Sequence, residues 1–191
     1  MAFVALLDAN ALYPAYLRDA LLRLAEAEIY QVRWSHQILD EMARNVLENH
    51  PDLPEERIER LVRTMERAFP AAMVTGHESL IPSMTNDPKD RHVMAAAVRG
   101  GADVIVTSNV RDFPSEACEP YDVDVQTPDE FLQYQWEIGN PDFLLEVFED
   151  WASHLKNPPL TLEELLERLA RVAPNFGEMA LEAARRKDPG R

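Results

Sequence analysis

The sequence has little cysteine and glycine and no long apolar run. Cys118 is the single cysteine among 191 residues, so no internal disulfide forms, which excludes the secreted disulfide-stabilised class and favours a reducing cytosol. The five histidines lack the paired spacing of zinc sites. No stretch has the roughly 18 apolar residues of a membrane span, and the first residues lack the basic start of a signal peptide. We therefore expect a cytoplasmic protein with no membrane partner.

Basic residues are also scarce. The chain has 19 lysines and arginines against 34 aspartates and glutamates, which gives a formal net charge of -15. This balance excludes diffuse electrostatic capture of nucleic acid or anionic membrane, so a nucleic-acid substrate would need local cations. A hydrophobic content of 46% is enough to predict a packed core without metals or disulfides.

Short buried strands alternate with amphipathic helices in the first part of the chain. Apolar runs predict strands at residues 2–7, 32–34, 103–107 and 122–126. Helical periodicity predicts helices from Asn10 to about Glu28, from the N-cap Ser35 to a break at Pro51–Pro54, over Ile58–Phe69, from Asp87-Pro88 through Arg99, and after Thr127. This alternation predicts an α/β fold with a mainly parallel central sheet flanked by helices.

After about residue 140 the pattern is helical only. One apolar stripe includes Phe143, Phe148 and Trp151, and a second follows the Pro158-Pro159 break. We predict a first domain over residues 1–137 and a C-terminal helical extension over 138–191. The stripes either pack within the chain, which we favour, or form a surface for a second protein. We expect residues 185–191 to be frayed.

Acidic side chains follow the predicted strands. Asp8 comes directly after the first strand, Glu41 lies in the helix after the second, and Asp90 lies on the apolar side of its predicted helix. Because the carboxyl ends of parallel strands meet at one edge of a sheet, we expect these carboxylates to converge there. Each has a structural alternative: a turn residue at Asp8, a solvated helix residue at Glu41, and at Asp90 an acid in the first turn of a helix capped by Asp87.

A polar loop follows the strand at residues 103–107. It contains Ser108, Asn109 and Asp112, and its position places Asn109 and Asp112 at the same sheet edge. An ordinary solvated loop is the alternative, because serine, asparagine and aspartate are common loop residues.

Such a cluster of carboxylates requires a counter-charge. Two carboxylates about 5 Å apart repel by roughly 3 kcal/mol at an effective dielectric near 20, so several together would offset much of a domain's stability. Carboxylate oxygens suit Mg²⁺ or Mn²⁺, whereas zinc would require histidine or cysteine. Magnesium held by carboxylates in turn favours phosphodiester hydrolysis.

Cations near these acids in the sequence are candidates for binding a phosphate substrate. Arg91 and Arg111, with Ser108, are the substrate-binding candidates, and Lys89 and Arg44 lie close in sequence to the acids. Surface solvation is the alternative role for all four basic residues.

Four segments together resemble the PIN-domain family, most closely VapC-type toxins of bacterial toxin-antitoxin pairs. The resemblance covers about residues 1–135 in the same order and spacing. It is carried by Leu6-Leu7-Asp8-Ala9-Asn10, by Trp34-Ser35 leading to Ile38-Leu39-Asp40-Glu41, by Asp87-Pro88-Lys89-Asp90-Arg91-His92, and by Val106-Thr107-Ser108-Asn109 with Asp112-Phe113.

The resemblance implies a three-layer PIN-like nuclease domain with a ribonuclease site that uses Mg²⁺ or Mn²⁺. By position, Asp8, Glu41 and Asp90 match the family's first three acids. The fourth position, often aspartate in the family, is Asn109 here, and Asp112 is the nearby substitute. Asp87 would add a water-mediated contact. The resemblance also implies an RNA substrate and a cognate antitoxin, and the helical extension offers a homodimer or antitoxin surface.

Two further hypotheses come from other functional classes. A phospho-acceptor signalling domain also gathers acids around Mg²⁺, but it requires a lysine at the end of a late strand, where this chain has Thr127-Pro128. A catalytically silent acidic interaction module would use the same acids only as caps and surface charge.

Overall fold

The computed structural model describes residues 3–187, so the predictions for residue 2 and for residues 188–191 lie outside the described part. The chain divides into two compact units. The first unit contains residues up to Tyr13 together with Tyr30–Thr127, and the second contains Pro14–Ile29 and the residues from Pro128 onward. The boundary between the units near the C-terminal helices therefore lies between Thr127 and Pro128, whereas the predicted domain boundary follows residue 137.

The first unit is built on a five-stranded sheet. Its strands are β1 (Val4–Leu7), β2 (Gln31–Ser35), β3 (Met73–Val74), β4 (Val104–Val106) and β5 (Asp124–Gln126), in the order β3-β2-β1-β4-β5. Every pairing is parallel, with Leu6 opposite both Arg33 and Ile105. The predicted parallel α/β architecture is confirmed, and only the edge strand β3 was not predicted.

Ten α-helices occur within residues 3–187. They are α1 (Ala9–Leu12), α2 (Ala15–Glu26), α3 (His36–Asn49), α4 (Glu55–Ala68), α5 (Arg91–Gly100), α6 (Ser115–Cys118), α7 (Pro128–Ile138), α8 (Pro141–His154), α9 (Leu162–Ala170) and α10 (Pro174–Lys187). Short 3-10 turns cover Glu78–Ser83, Val110–Asp112 and Glu119–Tyr121.

The single helix predicted from Asn10 to about Glu28 is wrong. The segment forms α1 and α2, with Pro14 between them in an extended conformation at φ -71° and ψ 121°. Proline cannot donate a backbone hydrogen bond, and the break lies at Pro14 itself, because Tyr13 before it keeps helical angles of φ -66° and ψ -49°. The break is also where the chain passes from the first unit to the second.

The predicted start of the helix at Asp87-Pro88 is also wrong. Residues 87–90 form a turn in which the Asp90 backbone N–H donates to the Asp87 carbonyl at 2.9 Å, and α5 begins at Arg91. Asp90 therefore precedes the helix instead of lying on its apolar side. The predicted end is confirmed: Gly101 has φ 61°, a left-handed conformation that glycine adopts without strain.

The sheet core brings three strand ends to one edge. Leu6 and Leu7 in β1 and all of β4 are fully buried, as continuous apolar runs in parallel strands should be. Because β2, β1 and β4 are parallel neighbours, Ser35, Asp8 and Thr107 follow or end their strands at the same side. Ser35 caps α3 as predicted, since its Oγ accepts from the Ile38 backbone N–H at 3.3 Å.

The second unit is wholly helical. Phe148 and Trp151 of α8 are buried, Trp151 lies against Tyr16 of α2, and Phe148 lies against Phe176 of α10. The favoured expectation that this stripe packs within the chain is confirmed for these two residues, while Phe143 is exposed. The predicted fraying is wrong for residues 185–187, because α10 continues to Lys187. Across the described residues, none of the helices has the length and apolar character needed to cross a membrane.

Candidate active site

Asp8 is held rigidly where β1 ends. The side chain is only 3% exposed, and its Oδ1 accepts from the Ala9 backbone N–H at 2.7 Å. Its Oδ2 accepts from Asn10 Nδ2 at 2.6 Å and from the Thr107 hydroxyl at 2.7 Å. These donors fix the carboxylate orientation and partly compensate its burial.

Asn10 and Thr107 join the ends of β1 and β4. Asn10 Oδ1 accepts from the Ser108 backbone N–H at 2.7 Å, and Thr107 Oγ1 accepts from the Asn109 backbone N–H at 3.1 Å. The network thereby orders the loop that carries Asn109. Sequence reasoning did not assign either residue a role in the site, although both stood in the motifs, Asn10 two residues after Asp8 and Thr107 directly after the apolar run of β4.

An open cleft of about 560 Å³ lies at this edge of the sheet. Four of the predicted residues line it, namely Glu41, Asp90, Asn109 and Asp112. The other lining residues are Gln37, Arg44, Asp87, Lys89 and His92. Asp8 is not a lining residue, but its charge reaches both Glu41 and Asp90. The structure therefore brings the five predicted acid and amide residues to one region.

Burial, and then mutual repulsion, raises the pKa values of three carboxyl groups at this edge, those of Asp90, Glu41 and Asp8. The pKa of Asp90 rises to about 6, mainly through burial and then through repulsion from neighbouring carboxylates (Asp8, Asp112, Asp87 and Glu41). Burial, and then Asp8, raises the pKa of Glu41, which Arg44 partly opposes. Burial also raises the pKa of Asp8 despite its hydrogen bonds. The cleft thus holds negative charge that its own basic residues leave largely uncompensated.

His92 does not supply the missing positive charge. Its Nε2 lies 3.6 Å from Glu41 Oε2, which is longer than a hydrogen bond. Burial, and then the neighbouring His77, lowers the pKa of His92 to about 4, so the ring is neutral at pH 7.

The structural alternative for Asp90, an acid in the first turn of a helix capped by Asp87, does not match the structure, because α5 begins at Arg91, after Asp90. Asp90 is the N-cap residue of α5, but its side chain makes no capping hydrogen bond. An aspartate that only capped the helix would accept from a backbone N–H of the first turn. Its carboxylate faces the cleft instead, where a ligand can bind it.

The donor chemistry of the cleft fits a hard divalent cation. Carboxylate and amide oxygens from three segments of the first unit line it, and their shared negative charge would be relieved by such an ion. Within residues 3–187, no three acidic, histidine or cysteine side chains already stand as a compact ligand set.

The three substrate-binding candidates lie outside the cleft lining. Arg91 is half-buried and its Nε donates to the Asn86 carbonyl at 3.2 Å, while Ser108 and Arg111 are exposed. Their role stays a prediction. The basic side chains that do line the cleft are Arg44 and Lys89.

Comparisons with known proteins agree with the motifs and the site. The family model described as PIN domain matches residues 4–111, and that described as VapC50 C-terminal domain matches residues 128–182. The chain is 38% identical over 112 residues to a protein named putative ribonuclease VapC50 from Mycobacterium tuberculosis (strain ATCC 25618 / H37Rv). That alignment covers 57% of this chain and 64% of the relative, which is less than two thirds of its length. No solved structure matches. With a family match over more than half of its residues, the chain belongs to the PIN-domain family.

Proposed function

We propose that this protein is a metal-dependent endoribonuclease that hydrolyses RNA phosphodiester bonds. The observation that carries the proposal is the group of mutually repelling carboxylates at the carboxyl edge of the sheet, where Asp8, Glu41, Asp90 and Asp112 share one electrostatic environment. Family membership and the name of the relative, putative ribonuclease VapC50, support the same reaction.

Mg²⁺ or Mn²⁺ is the proposed cofactor. Asp8, Glu41 and Asp90 would hold the ion, and Asn109 would provide a neutral oxygen at the fourth position, with Asp87 as a contact through water. The bound ion would neutralise charge on the phosphoryl oxygens and favour in-line attack by water. The lone pairs that Asp8 does not use for its three donors remain for this purpose.

The remaining cleft residues position the substrate. Arg44 and Lys89 line the cleft and are the cations that would bind the phosphate group. Asp112 lines the cleft and its charge acts on both Asp8 and Asp90, which supports a role in accepting a proton from the attacking water. Arg91, Arg111 and Ser108 would contact RNA beyond the cleft.

The biological role proposed is that of the toxin in a type II toxin-antitoxin pair, acting in the cytoplasm and inhibited by a cognate antitoxin. The support is the resemblance of the four motifs to VapC-type toxins. Residues 1–137 would form the nuclease domain, and the helical extension at 138–191 would serve a homodimer or the antitoxin.

The test is RNA cleavage by purified protein, freed of metal with EDTA and then supplied with Mg²⁺ or Mn²⁺. The substrates are a panel of tRNAs and structured RNAs. Cleavage should require the added ion and should be lost in Glu41→Gln. The matched control is Asp40→Asn, because Asp40 is the exposed neighbour of Glu41 on α3 and does not line the cleft.

Two results would contradict the proposal. If the protein cleaves RNA neither with Mg²⁺ nor with Mn²⁺, a catalytically silent interaction module would be favoured. Transfer of phosphate from a small phosphodonor to the protein would favour a phospho-acceptor domain.

A further inference from the structure

Helix α4 carries an arginine face that the proposed reaction does not use. Arg57, Arg60, Arg63 and Arg67 are spaced by three or four residues, which places all four on one side of an α-helix. All four side chains are exposed. The helix as a whole is neutral, because it also carries Glu55, Glu56, Glu59 and Glu66, so the positive charge is confined to the arginine side.

Most of these arginines have no acidic partner. Arg63 pairs with Glu59 at 3.3 Å, whereas Arg57, Arg60 and Arg67 form no ion pair with any acid in the described part of the chain. Glu66 lies beside Arg67 in sequence, but its carboxylate is 3.6 Å from His36 Nδ1 on α3. Glu56 is the acid on the arginine side of the helix, and it lies in the first turn, where an acid favours the helix dipole. Ion pairing within the helix therefore does not account for the arginine face.

The arginine face belongs to the same unit as the cleft. Helix α4 packs against α3, and α3 contributes Gln37, Glu41 and Arg44 to the cleft. Packed helices have axes about 8–10 Å apart. From Arg57 to Arg67 the helix rises about 15 Å, enough to follow several nucleotides of a single strand.

We propose that the α4 arginine face is the docking surface for the phosphate backbone of the RNA strand whose scissile bond enters the cleft. This inference rests on the proposed ribonuclease function and names the residues that give an acidic protein local affinity for a polyanion. Arginine side chains bind phosphates through paired N–H donors, and such contacts supply affinity without reading sequence.

An acidic protein is a poorer fit for this surface. Protein interfaces have an apolar or aromatic core inside a polar rim. The large exposed apolar side chains within residues 3–187 are Tyr121, Tyr134, Ile138, Phe143 and Val172, and none of them lies on α4. A charged face without an apolar centre matches a sugar-phosphate backbone better.

The test compares two triple variants with equal changes of charge. The first is Arg57→Gln with Arg60→Gln and Arg67→Gln. The control is Arg171→Gln with Arg185→Gln and Arg186→Gln, which removes three exposed arginines from the second unit. Fluorescence anisotropy with a labelled single-stranded RNA, in EDTA to prevent cleavage, measures affinity over a series of salt concentrations.

The α4 variant should bind the RNA about tenfold more weakly or worse at low salt. The slope of log affinity against log salt should fall by about 2, since each lost phosphate contact on a single strand contributes about 0.7. In the cleavage assay KM should rise while kcat stays unchanged. The control variant should keep the parent slope, and the corresponding Arg→Lys triple on α4 should restore it. Melting temperatures should match the parent, because all substituted side chains are exposed.

Equal affinity and slope for the α4 variant and the parent would overturn the docking surface, and so would a parent that binds no RNA. Loss of binding to polyglutamate with RNA affinity intact would also overturn it, in favour of an acidic protein partner. RNA binding that depends on α4 without any metal-dependent cleavage would support docking and contradict the ribonuclease. Metal-dependent cleavage with an unchanged KM in the α4 variant would support the ribonuclease and contradict the docking surface.

Discussion

Two groups of acidic side chains, one in each unit, have opposite environments. In the second unit, Asp129 of α7 accepts from the backbone N–H groups of Asn175 and Phe176, at 3.2 and 2.9 Å, and from Asn175 Nδ2 at 2.7 Å. Glu164 completes a capping box with Thr161, and these hydrogen bonds lower its pKa. In the first unit, burial and mutual repulsion raise the pKa values of Asp8, Glu41 and Asp90.

This contrast separates acids that stabilise the fold from acids that are placed for a ligand. Asp129 and Glu164 receive donors from helix N-termini, where a negative charge is favourable. The cleft acids repel one another, so their arrangement lowers stability until a cation neutralises them. Substituting a cleft acid should therefore change activity, and substituting Asp129 or Glu164 should change stability.

The largest expected effect is on catalysis. Asp90→Asn removes a charged ligand of the proposed ion and should lower the cleavage rate by at least about 100-fold, since even outer-shell residues of metal sites typically contribute 10–100-fold. Asp8→Asn should have a comparable effect. The measurement is single-turnover cleavage of RNA in Mn²⁺, with circular dichroism to check folding.

The control is Asp52→Asn, because Asp52 is an exposed acid of the first unit outside the cleft. It should cleave RNA like the parent. If Asp90→Asn cleaved RNA at the parent's rate, the cleft acids would not be needed for catalysis and the contrast between the two groups of acids would be contradicted.

The next effect is stabilisation by metal. An ion that binds only the folded state stabilises it by about 2.7 kcal/mol at 100 times its Kd. For a chain of this size, that corresponds to a rise in melting temperature of roughly 5–10 °C. Differential scanning fluorimetry with Mn²⁺ against EDTA measures the shift. Asp90→Asn should abolish it and Asp129→Ala should retain it. A shift that persists in Asp90→Asn would place the ion elsewhere.

The sequence predicted the parts of this arrangement that depend on local pattern. Continuous apolar runs located β1 and β4, and Ser35 marked the start of α3, because these signals lie within a few neighbouring residues. The direction of parallel strands then brought Asp8, Glu41 and the loop with Asn109 to one edge. Asp90 was placed in the correct region for the wrong reason, since it precedes α5 and does not lie on its apolar face.

Other features depend on contacts between distant residues. Asn10 and Thr107 are 97 positions apart, and nothing in the local pattern shows that their side chains meet. The strand β3 has two residues, too few to show any periodicity. The packing of α2 with the C-terminal helices also depends on tertiary contacts. The amphipathic pattern of α2 shows that one face is buried but does not identify the surface that covers it.

A smaller effect is expected on the stability of the second unit. Asp129→Ala removes all three hydrogen bonds that this side chain accepts at the start of α10, and a lost N-cap typically costs about 1–2 kcal/mol. Urea unfolding followed by circular dichroism measures the loss. Glu178→Ala, an exposed substitution on the same helix, is the control and should change little. RNA cleavage at low temperature should be unchanged in both variants, and a loss of cleavage in Asp129→Ala would weaken the contrast.

The smallest effect concerns the dependence of stability on pH in EDTA. Because the pKa of Asp90 rises from 3.8 to about 6 on folding, the folded protein binds more protons than the unfolded chain between these values. Its contribution to the free energy of unfolding therefore falls as pH rises from about 4 to about 6. His92 acts in the opposite direction in the same range, because its pKa falls from 6.5 to about 4 on folding.

The difference between two proteins isolates the contribution of Asp90. Asparagine cannot titrate, so the stability of Asp90→Asn relative to the parent should rise between about pH 4 and about pH 6. The titration of His92 affects both proteins equally and cancels in this difference. The half-buried position of Asp90 keeps the gain small, since solvent screens its charge. Urea midpoints at a series of pH values measure it, with Asp52→Asn as the charge-matched control. A constant difference between Asp90→Asn and the parent from pH 4 to pH 7 would show that neither burial nor repulsion raises the pKa of Asp90 in the folded protein.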